Sequence, residues 1–157
     1  MTYTNFKRDL IIGEDGEVDV SVFLTDNGFK DISFNKDKLW DVRGRSPLTG
    51  LLTDFEVKTD IYCKDKKTDT GNIAVEIRYR GNPSGISSSH ADYFVYYFIH
   101  FDKNNLWFIS IENLKKLIKE NINELRVVNG GDNNWSEIVL IPRKKYYKHF
   151  YVYTFKY

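Results

Sequence analysis

The fold is decided by two short stretches of sequence, Trp40-Asp41-Val42 and Asp54-Phe55-Glu56-Val57-Lys58-Thr59-Asp60, which a turn at residues 46–50 separates. They predict two strands joined by that turn. Side chains alternate between the faces of a strand, so Glu56 and Lys58 point to one face while Phe55 and Val57 point to the other. An acid on one strand, followed by an acid and a lysine on the next, favours a magnesium site that activates water beside a phosphate ester.

The length of the chain fits one domain, so residues 1–157 are predicted to form a single domain. No apolar run approaches the roughly 18 residues that span a bilayer, and residues 1–9 lack the basic start and apolar stretch of a signal peptide. The single cysteine, Cys63, excludes an internal disulfide and a cysteine-ligated zinc site. We therefore expect a cytoplasmic protein without a membrane partner, in which Cys63 is structural.

The formal net charge of +1 counts mildly against a dedicated nucleic-acid binder, which is often strongly basic. A net charge near zero is still compatible with nucleic-acid binding if the acidic residues gather at a metal site and the basic residues surround it. Each local basic group, taken alone, is better explained as a solvated surface. These groups are Lys64, Lys66 and Lys67; Arg78 and Arg80; and Arg143, Lys144, Lys145 and Lys148.

The pattern of apolar residues predicts an alternation of helices and strands. A helix is expected from Glu14 to about Thr25, with Val18 and Val22, joined by Phe23 and Leu24, on its apolar face. A second helix is expected to begin at Ser110 or Glu112, and a third segment, residues 142–150, also favours a helix. Strands are expected at residues 29–34, 39–44, 51–62, 72–79, 92–100, 106–111, 125–128 and 137–141. This order predicts an α/β fold, a central mixed sheet flanked by helices.

Three parts of the chain together resemble a known superfamily. The first is Gly13-Glu14-Asp15-Gly16-Glu17, which has the form Gly-x-x-x-Glu and is expected at the start of the first helix. The second is the pair of stretches quoted above, with its order Asp…Glu-x-Lys. The third runs from Thr70 to Ile77 and continues through residues 81–86 and 91–96. They resemble the PD-(D/E)xK nuclease superfamily, the fold of restriction endonucleases and archaeal Holliday junction resolvases, and especially its small phage-encoded members.

This resemblance implies a role for each residue of the motif. Asp41 and Glu56 are expected to bind Mg²⁺, or Mn²⁺ as a substitute, together with the backbone carbonyl of Val57 and water. Lys58 is expected to orient the attacking water or to stabilise the transition state. Glu17, from the first helix, is expected to help to position the metal or to support a second one; Glu14 in the same role, or no residue of this helix, is the alternative. The motif departs from the superfamily pattern at Trp40, where a proline is common.

Other polar residues near the motif have weaker functional interpretations. Asp54 and Asp60 share the face of Glu56, and we expect both to point to solvent. Glu76 is a candidate for supporting the site, with an exposed strand position as the alternative. Hydroxyl groups near the following turn suit either phosphate binding or turn capping. These hydroxyls belong to Ser84, Ser88 and Ser89.

The resemblance therefore predicts a Mg²⁺-dependent DNA endonuclease of restriction-endonuclease-like fold, with resolvase-like activity on branched DNA as one form. Family members that cut both strands are commonly dimers, so a homodimer is expected. The alternative is a catalytically inactive DNA-binding or inhibitory module on the same fold, because a fold is often kept in proteins that have lost the catalytic activity.

Overall fold

The computed structural model of the chain describes residues 3–35 and 39–155, and the side chains among them from residue 12 onward except that of residue 132. The helices are α1 (Tyr3–Asp26), α2 (Ile111–Asn121) and α3 (Arg143–Tyr146). The strands are β1 (Lys30–Phe34), β2 (Val42–Arg45), β3 (Leu52–Asp60), β4 (Asn72–Tyr79), β5 (Asn82–Pro83), β6 (Tyr93–Phe98), β7 (Asn105–Ser110), β8 (Arg126–Gly130), β9 (Ser136–Pro142) and β10 (Tyr151–Thr154).

A six-stranded mixed sheet forms the centre of the molecule, in the order β1-β2-β3-β6-β7-β10. Strands β1, β2 and β3 are antiparallel neighbours, β3 and β6 run parallel, and β6, β7 and β10 are again antiparallel. A parallel pair needs a long crossover connection, which residues 61–92 provide between β3 and β6. The predicted mixed sheet flanked by helices is confirmed.

Helix α1 covers one face of this sheet. Its side chains Val20, Phe23 and Leu24 recur at helical spacing and share a buried apolar cluster with Val42 of β2 and Phe55 of β3. Burying such side chains stabilises the fold by roughly 1.5–3 kcal/mol each. The same contact fixes which face of β3 is covered, and it leaves Glu56 and Lys58 on the opposite face.

The first helix begins earlier than predicted, at Tyr3, so Gly13 and Gly16 lie inside it and not at its start. Glycine weakens a helix interior, which is why the sequence suggested a boundary there. The predicted apolar face is wrong at Val18 and Val22, which are 51% and 53% exposed, but it is confirmed at Phe23 and Leu24, which are buried. The contact that orients α1 is made at Gly16 and by the buried residues one turn further along.

A second, four-stranded antiparallel sheet has the order β5-β4-β9-β8. The alternating pattern at residues 72–79 correctly predicted strand β4, with Ile73 and Val75 buried. The prediction of one sheet was incomplete, because β4 pairs with β9 and not with a strand of the central sheet. An alternating pattern specifies a strand and its buried face, but not its neighbour.

Helix α2 begins where it was predicted, since the Ser110 hydroxyl accepts a hydrogen bond from the Asn113 N–H as an N-cap. The predicted hairpin of β6 and β7 is also confirmed. The helical segment predicted at residues 142–150 is confirmed as α3 followed by a 3-10 turn at Tyr147–His149, but the sequence analysis did not predict β10, which pairs with β7. No described helix has the length and apolar character that would be needed to cross a membrane.

Candidate active site

Asp41 lies immediately before β2, at the point where β2 stops covering the edge of β3. Its N–H donates to the Phe55 carbonyl at 2.9 Å, and its Oδ2 accepts a hydrogen bond from the Val57 N–H at 2.7 Å. The Asp41 carboxylate thus accepts the hydrogen bond that a backbone carbonyl would accept if the pairing of β2 with β3 continued past Val42. Because the N–H and C=O of a strand residue point to the same side, the Val57 carbonyl lies on the side of β3 that Asp41 occupies. The predicted strand included Asp41, whereas β2 begins at Val42.

Glu56 and Lys58 point into a space between the two sheets. Both line a small cleft of about 150 Å³, together with Glu76 of β4 and Phe94 of β6. Lys58 also lines a larger adjoining cleft of about 670 Å³. The Ser89 hydroxyl donates to Glu56 Oε2 at 3.0 Å and so fixes the direction of this carboxylate. The prediction that Glu56 and Lys58 share one face of β3 is confirmed.

Glu17 reaches this region from α1, since its charge acts on both Asp41 and Glu56. We call Glu17, Asp41 and Glu56 the acidic edge. The backbone positions two of its members, through the end of β2 and the alternation of β3. The third depends on how closely α1 approaches β3. A Cβ at Gly16 would lie 1.9 Å from the Thr59 Oγ1, so only glycine permits this approach.

The carboxylates of the acidic edge hold protons more tightly than free carboxylates do. Burial and the charge of Asp41 raise the pKa of Glu56 to about 7, and the same two causes raise the pKa of Glu17 to about 7. Burial also raises the pKa of Asp41, against the opposing effects of the Val57 N–H and of Lys58. Lys58 therefore compensates only part of the negative charge gathered here.

A divalent cation fits this donor set. Among the side chains that the structure describes, no three histidine, cysteine or acidic residues form a group that could hold a metal ion unaided. Mg²⁺, however, usually takes one or two protein carboxylates and completes its shell with water and substrate phosphate. Asp41, Glu56 and the Val57 carbonyl provide hard oxygen donors of that kind, and the raised pKa values show negative charge that a cation would relieve.

Two other acids near the motif, both expected to point to solvent, have structural partners instead. Asp54 was expected to point to solvent, but both its oxygens accept hydrogen bonds from Arg43, its partner across β2 and β3. Asp60 accepts from the Tyr62 N–H at 2.8 Å and from the Tyr96 hydroxyl at 3.0 Å. Their roles are therefore in the hairpin and at the end of β3.

Glu76 lies beside the site and is held by two serines. Ser84 donates to Glu76 Oε1, and Ser136 donates to Oε2 at 2.6 Å. Of the serines singled out in the sequence, Ser84 thus holds Glu76 and Ser89 holds Glu56. No local pattern pointed to Ser136, which lies 60 residues away along the chain from Glu76.

The sequence analysis also missed Arg43, which supports the turn before β2. Its guanidinium lies 4.2 Å from the centre of the Trp40 ring and pairs with Asp54. Trp40, the departure from the superfamily pattern, therefore anchors the segment that carries Asp41. The register of the predicted hairpin contained the signal, since opposite charges on paired strand residues attract.

Neither a protein-family model nor a curated protein matches this chain. Among solved structures, the chain is similar to a bacterial homing endonuclease, I-Ssp6803I, with 18% sequence identity and a TM-score of 0.49. The likeness covers 83% of this chain and 76% of that chain. A likeness of this degree leaves the chemistry to be derived from the acidic edge itself.

Proposed function

We propose that this protein is a Mg²⁺-dependent DNA endonuclease, which hydrolyses a phosphodiester bond at the acidic edge. One observation carries the proposal: the charge of Asp41 acts on Glu56, and Glu56 and Lys58 together line a cleft between the two sheets. Carboxylates that only stabilised the fold would have cationic partners. Here the negative charge is left partly uncompensated, as a site for a cation and a phosphate requires.

Asp41, Glu56 and the Val57 carbonyl would hold the metal ion. When bound, the ion supplies Lewis acidity toward a phosphate oxygen and lowers the pKa of a coordinated water. Water adds across the phosphodiester, leaving a phosphomonoester and a free hydroxyl group. Mn²⁺ has similar preferences and is expected to substitute for Mg²⁺.

Lys58 would donate hydrogen bonds to the attacking water or to an oxygen of the scissile phosphate. Its position on β3, two residues after Glu56, holds the ammonium group on the face that opens into both clefts. Glu17 would orient Asp41 and Glu56, or a water between them, from the helix side. Ser89 would keep Glu56 pointing toward the phosphate.

A panel of labelled duplex, branched and single-stranded DNAs, incubated with Mg²⁺ or Mn²⁺, tests the proposal. We expect cleavage by the natural protein and a loss of at least about 100-fold in Lys58→Ala, because a positioned acid or donor contributes that much or more. Lys115→Ala, which removes an exposed lysine from α2, is the matched control and should cut normally. Preferential cleavage of four-way junctions would indicate resolvase-like activity.

The second candidate is a DNA-binding or inhibitory module without catalysis. The near-neutral net charge and the absence, among the described side chains, of a complete three-residue metal group favour it. Titration calorimetry separates the two candidates. The nuclease should bind Mn²⁺, and Asp41→Ala should abolish that binding; a folded protein that neither binds metal nor cuts DNA would support the module.

Cutting both strands of a duplex with one acidic edge per chain would require two copies of the chain. We therefore also propose a homodimer, which sedimentation of the protein bound to DNA would test.

A further inference from the structure

The turn between β4 and β5 has an unusual residue at its tip. Tyr79 pairs with Asn82, so Arg80 and Gly81 form a two-residue hairpin loop. Both have positive φ, 50° for Arg80 and 79° for Gly81, which corresponds to a type I′ turn. Asparagine, aspartate or glycine normally occupies the first of these positions. An arginine there carries a backbone cost of about 1 kcal/mol.

The turn holds the arginine in a defined place. The Arg80 N–H donates to the Trp135 carbonyl at 2.9 Å, and the guanidinium lies 3.6 Å from the centre of the Trp135 ring. Tyr79 meets the same tryptophan edge-on at 6.2 Å. Stacking of this kind fixes the guanidinium plane and leaves the donors at its edge free to point outward.

The guanidinium donors of Arg80 are unused within the part of the chain that the structure describes, since no side chain there accepts from them. Arg78, two residues earlier, does pair, with Glu137 at 3.3 Å. The rings beside Arg80 are also accessible, because Trp135 is 40% exposed and Tyr79 is 37% exposed. An arginine that is stacked, unpaired and outward-facing suits bidentate binding of a phosphate.

This tip lies on the same strand as the wall of the catalytic cleft. Glu76, which faces Lys58 across the small cleft, precedes Arg80 by four residues, or about 13 Å along an extended strand. Ser136, which directly follows Trp135, lines the larger cleft. In a duplex, about 13 Å corresponds to roughly four base-pair steps. A duplex that follows β4 can therefore contact both the small cleft, which Glu56 lines, and the tip.

We propose that the arginine tip, formed by Tyr79, Arg80 and Trp135, binds a backbone phosphate of duplex DNA a few base pairs from the acidic edge. The inference rests on the proposed function for its choice of ligand. The turn carries a conformational cost to place Arg80 there, which indicates a function for that side chain beyond stability.

The unusual turn allows a test in which stability and binding change in opposite directions. Arg80→Asn suits the left-handed backbone better, so the melting temperature should stay the same or rise. The dissociation constant for a fluorescent 30-base-pair duplex, measured by anisotropy without divalent metal, should increase about tenfold, and the salt slope should fall by about 1. Arg80→Lys, which keeps the charge but loses the planar stack, should show a smaller loss.

Lys115→Asn is the matched control, because it removes one exposed positive charge from α2 and should leave the dissociation constant within about twofold. A duplex affinity of Arg80→Asn equal to that of the natural protein would overturn the proposal. So would a failure of both Arg80→Asn and Arg80→Gly to fold, since the turn would then need its arginine.

The two proposals fail separately. If the natural protein cuts no DNA but Arg80→Asn weakens duplex binding, the proposal for the arginine tip stands and the proposed nuclease activity is contradicted. If the natural protein cuts DNA but Arg80→Asn binds duplex normally, the proposed nuclease activity stands and the proposal for the arginine tip is contradicted.

Discussion

Two groups of half-buried carboxylates in this molecule differ in how their negative charge is compensated. At the acidic edge, burial and like charges raise the pKa of Glu56 to about 7. In a second group, the Arg143 cluster of Cys63, Asp69 and Arg143, both oxygens of Asp69 accept hydrogen bonds from the Arg143 guanidinium. Although burial opposes it, that pairing with Arg143 lowers the pKa of Asp69.

The Arg143 cluster is complete without a ligand. Arg143 also donates to the Cys63 Sγ at 3.2 Å and stacks at 4.5 Å over the Phe98 ring. Burial raises the pKa of Cys63 to about 12, so its thiol stays protonated and the predicted structural role fits. At the acidic edge, by contrast, one lysine faces three carboxylates. The difference indicates that the charges of the Arg143 cluster are paired within the protein, whereas the negative charge of the acidic edge is only partly paired.

The sharpest test of this difference uses two acids two residues apart on β3. Glu56→Gln removes a proposed metal ligand and should lower the cleavage rate by about 10³-fold. Its stability without metal should rise, because a repelling charge is lost. Both are measured on one preparation, by single-turnover cleavage and by thermal unfolding.

Asp54→Asn is the matched change, since Asp54 already has Arg43 as its partner. It should leave cleavage within a few-fold of normal and lower stability by about 1 kcal/mol. If Asp54→Asn abolished cleavage and Glu56→Gln did not, the assignment of the two acids would be reversed.

The Arg143 cluster should respond in the opposite sense. Asp69→Asn leaves the guanidinium of Arg143 with only 15% of its side chain exposed and without its counter-ion. We expect a loss of about 3 kcal/mol in urea unfolding. Adding Arg143→Met should recover much of that loss, because apolar replacement of a buried pair is often neutral. A double variant no more stable than Asp69→Asn would show that Arg143 contributes packing that methionine cannot supply.

Much of the acidic edge could be predicted from local sequence, because the alternation of a strand is strict. Because successive side chains of a strand point to opposite faces, Glu56 and Lys58 were predicted to share one face of β3, and the structure agrees. The position of Asp41 was predicted only approximately, since its side chain bonds to the Val57 N–H beyond the end of β2. The contacts of Ser89 and Ser136 depend on segments brought together by the fold, which a local pattern does not encode. For the same reason β4 was predicted as a strand, while its place in a second sheet was not.

The stability of the metal-free protein should fall as pH rises. Glu56 has an ordinary pKa of 4.5 and a pKa of about 7 in the folded chain. Between those values the folded state binds a proton that the unfolded state has released, so stability is lost as pH increases through this window. Glu56 can contribute up to about 3 kcal/mol to that loss.

Urea unfolding in EDTA at pH 5, 6, 7 and 8 measures this dependence. Glu56→Gln should weaken this dependence and leave the part due to Glu17, whose pKa is also raised to about 7, and Mg²⁺ at pH 8 should restore stability, since a cation takes the place of the proton. Stability that rises from pH 5 to pH 8 in EDTA, equally in the variant and the natural protein, would contradict the description of the acidic edge.

The smallest effect compares two glycines of α1, Gly13 and Gly16. Nothing lies within 4 Å of a Cβ added at Gly13, so Gly13→Ala should stabilise the protein by about 1 kcal/mol through helix propensity alone. A Cβ at Gly16 would meet the Thr59 Oγ1 at 1.9 Å and the Thr59 Cβ at 3.2 Å. Threonine is stiff at this torsion, so α1 must move and Gly16→Ala should destabilise by about 1–2 kcal/mol.

That opposite sign also tests how α1 serves the acidic edge. Moving α1 away from β3 withdraws Glu17 from Asp41, so Gly16→Ala should weaken Mn²⁺ binding in calorimetry, while Gly13→Ala should not. Equal metal affinity in the two variants, with the expected difference in stability, would assign Gly16 to packing alone and would leave Asp41 and Glu56 to hold the metal without help from the helix.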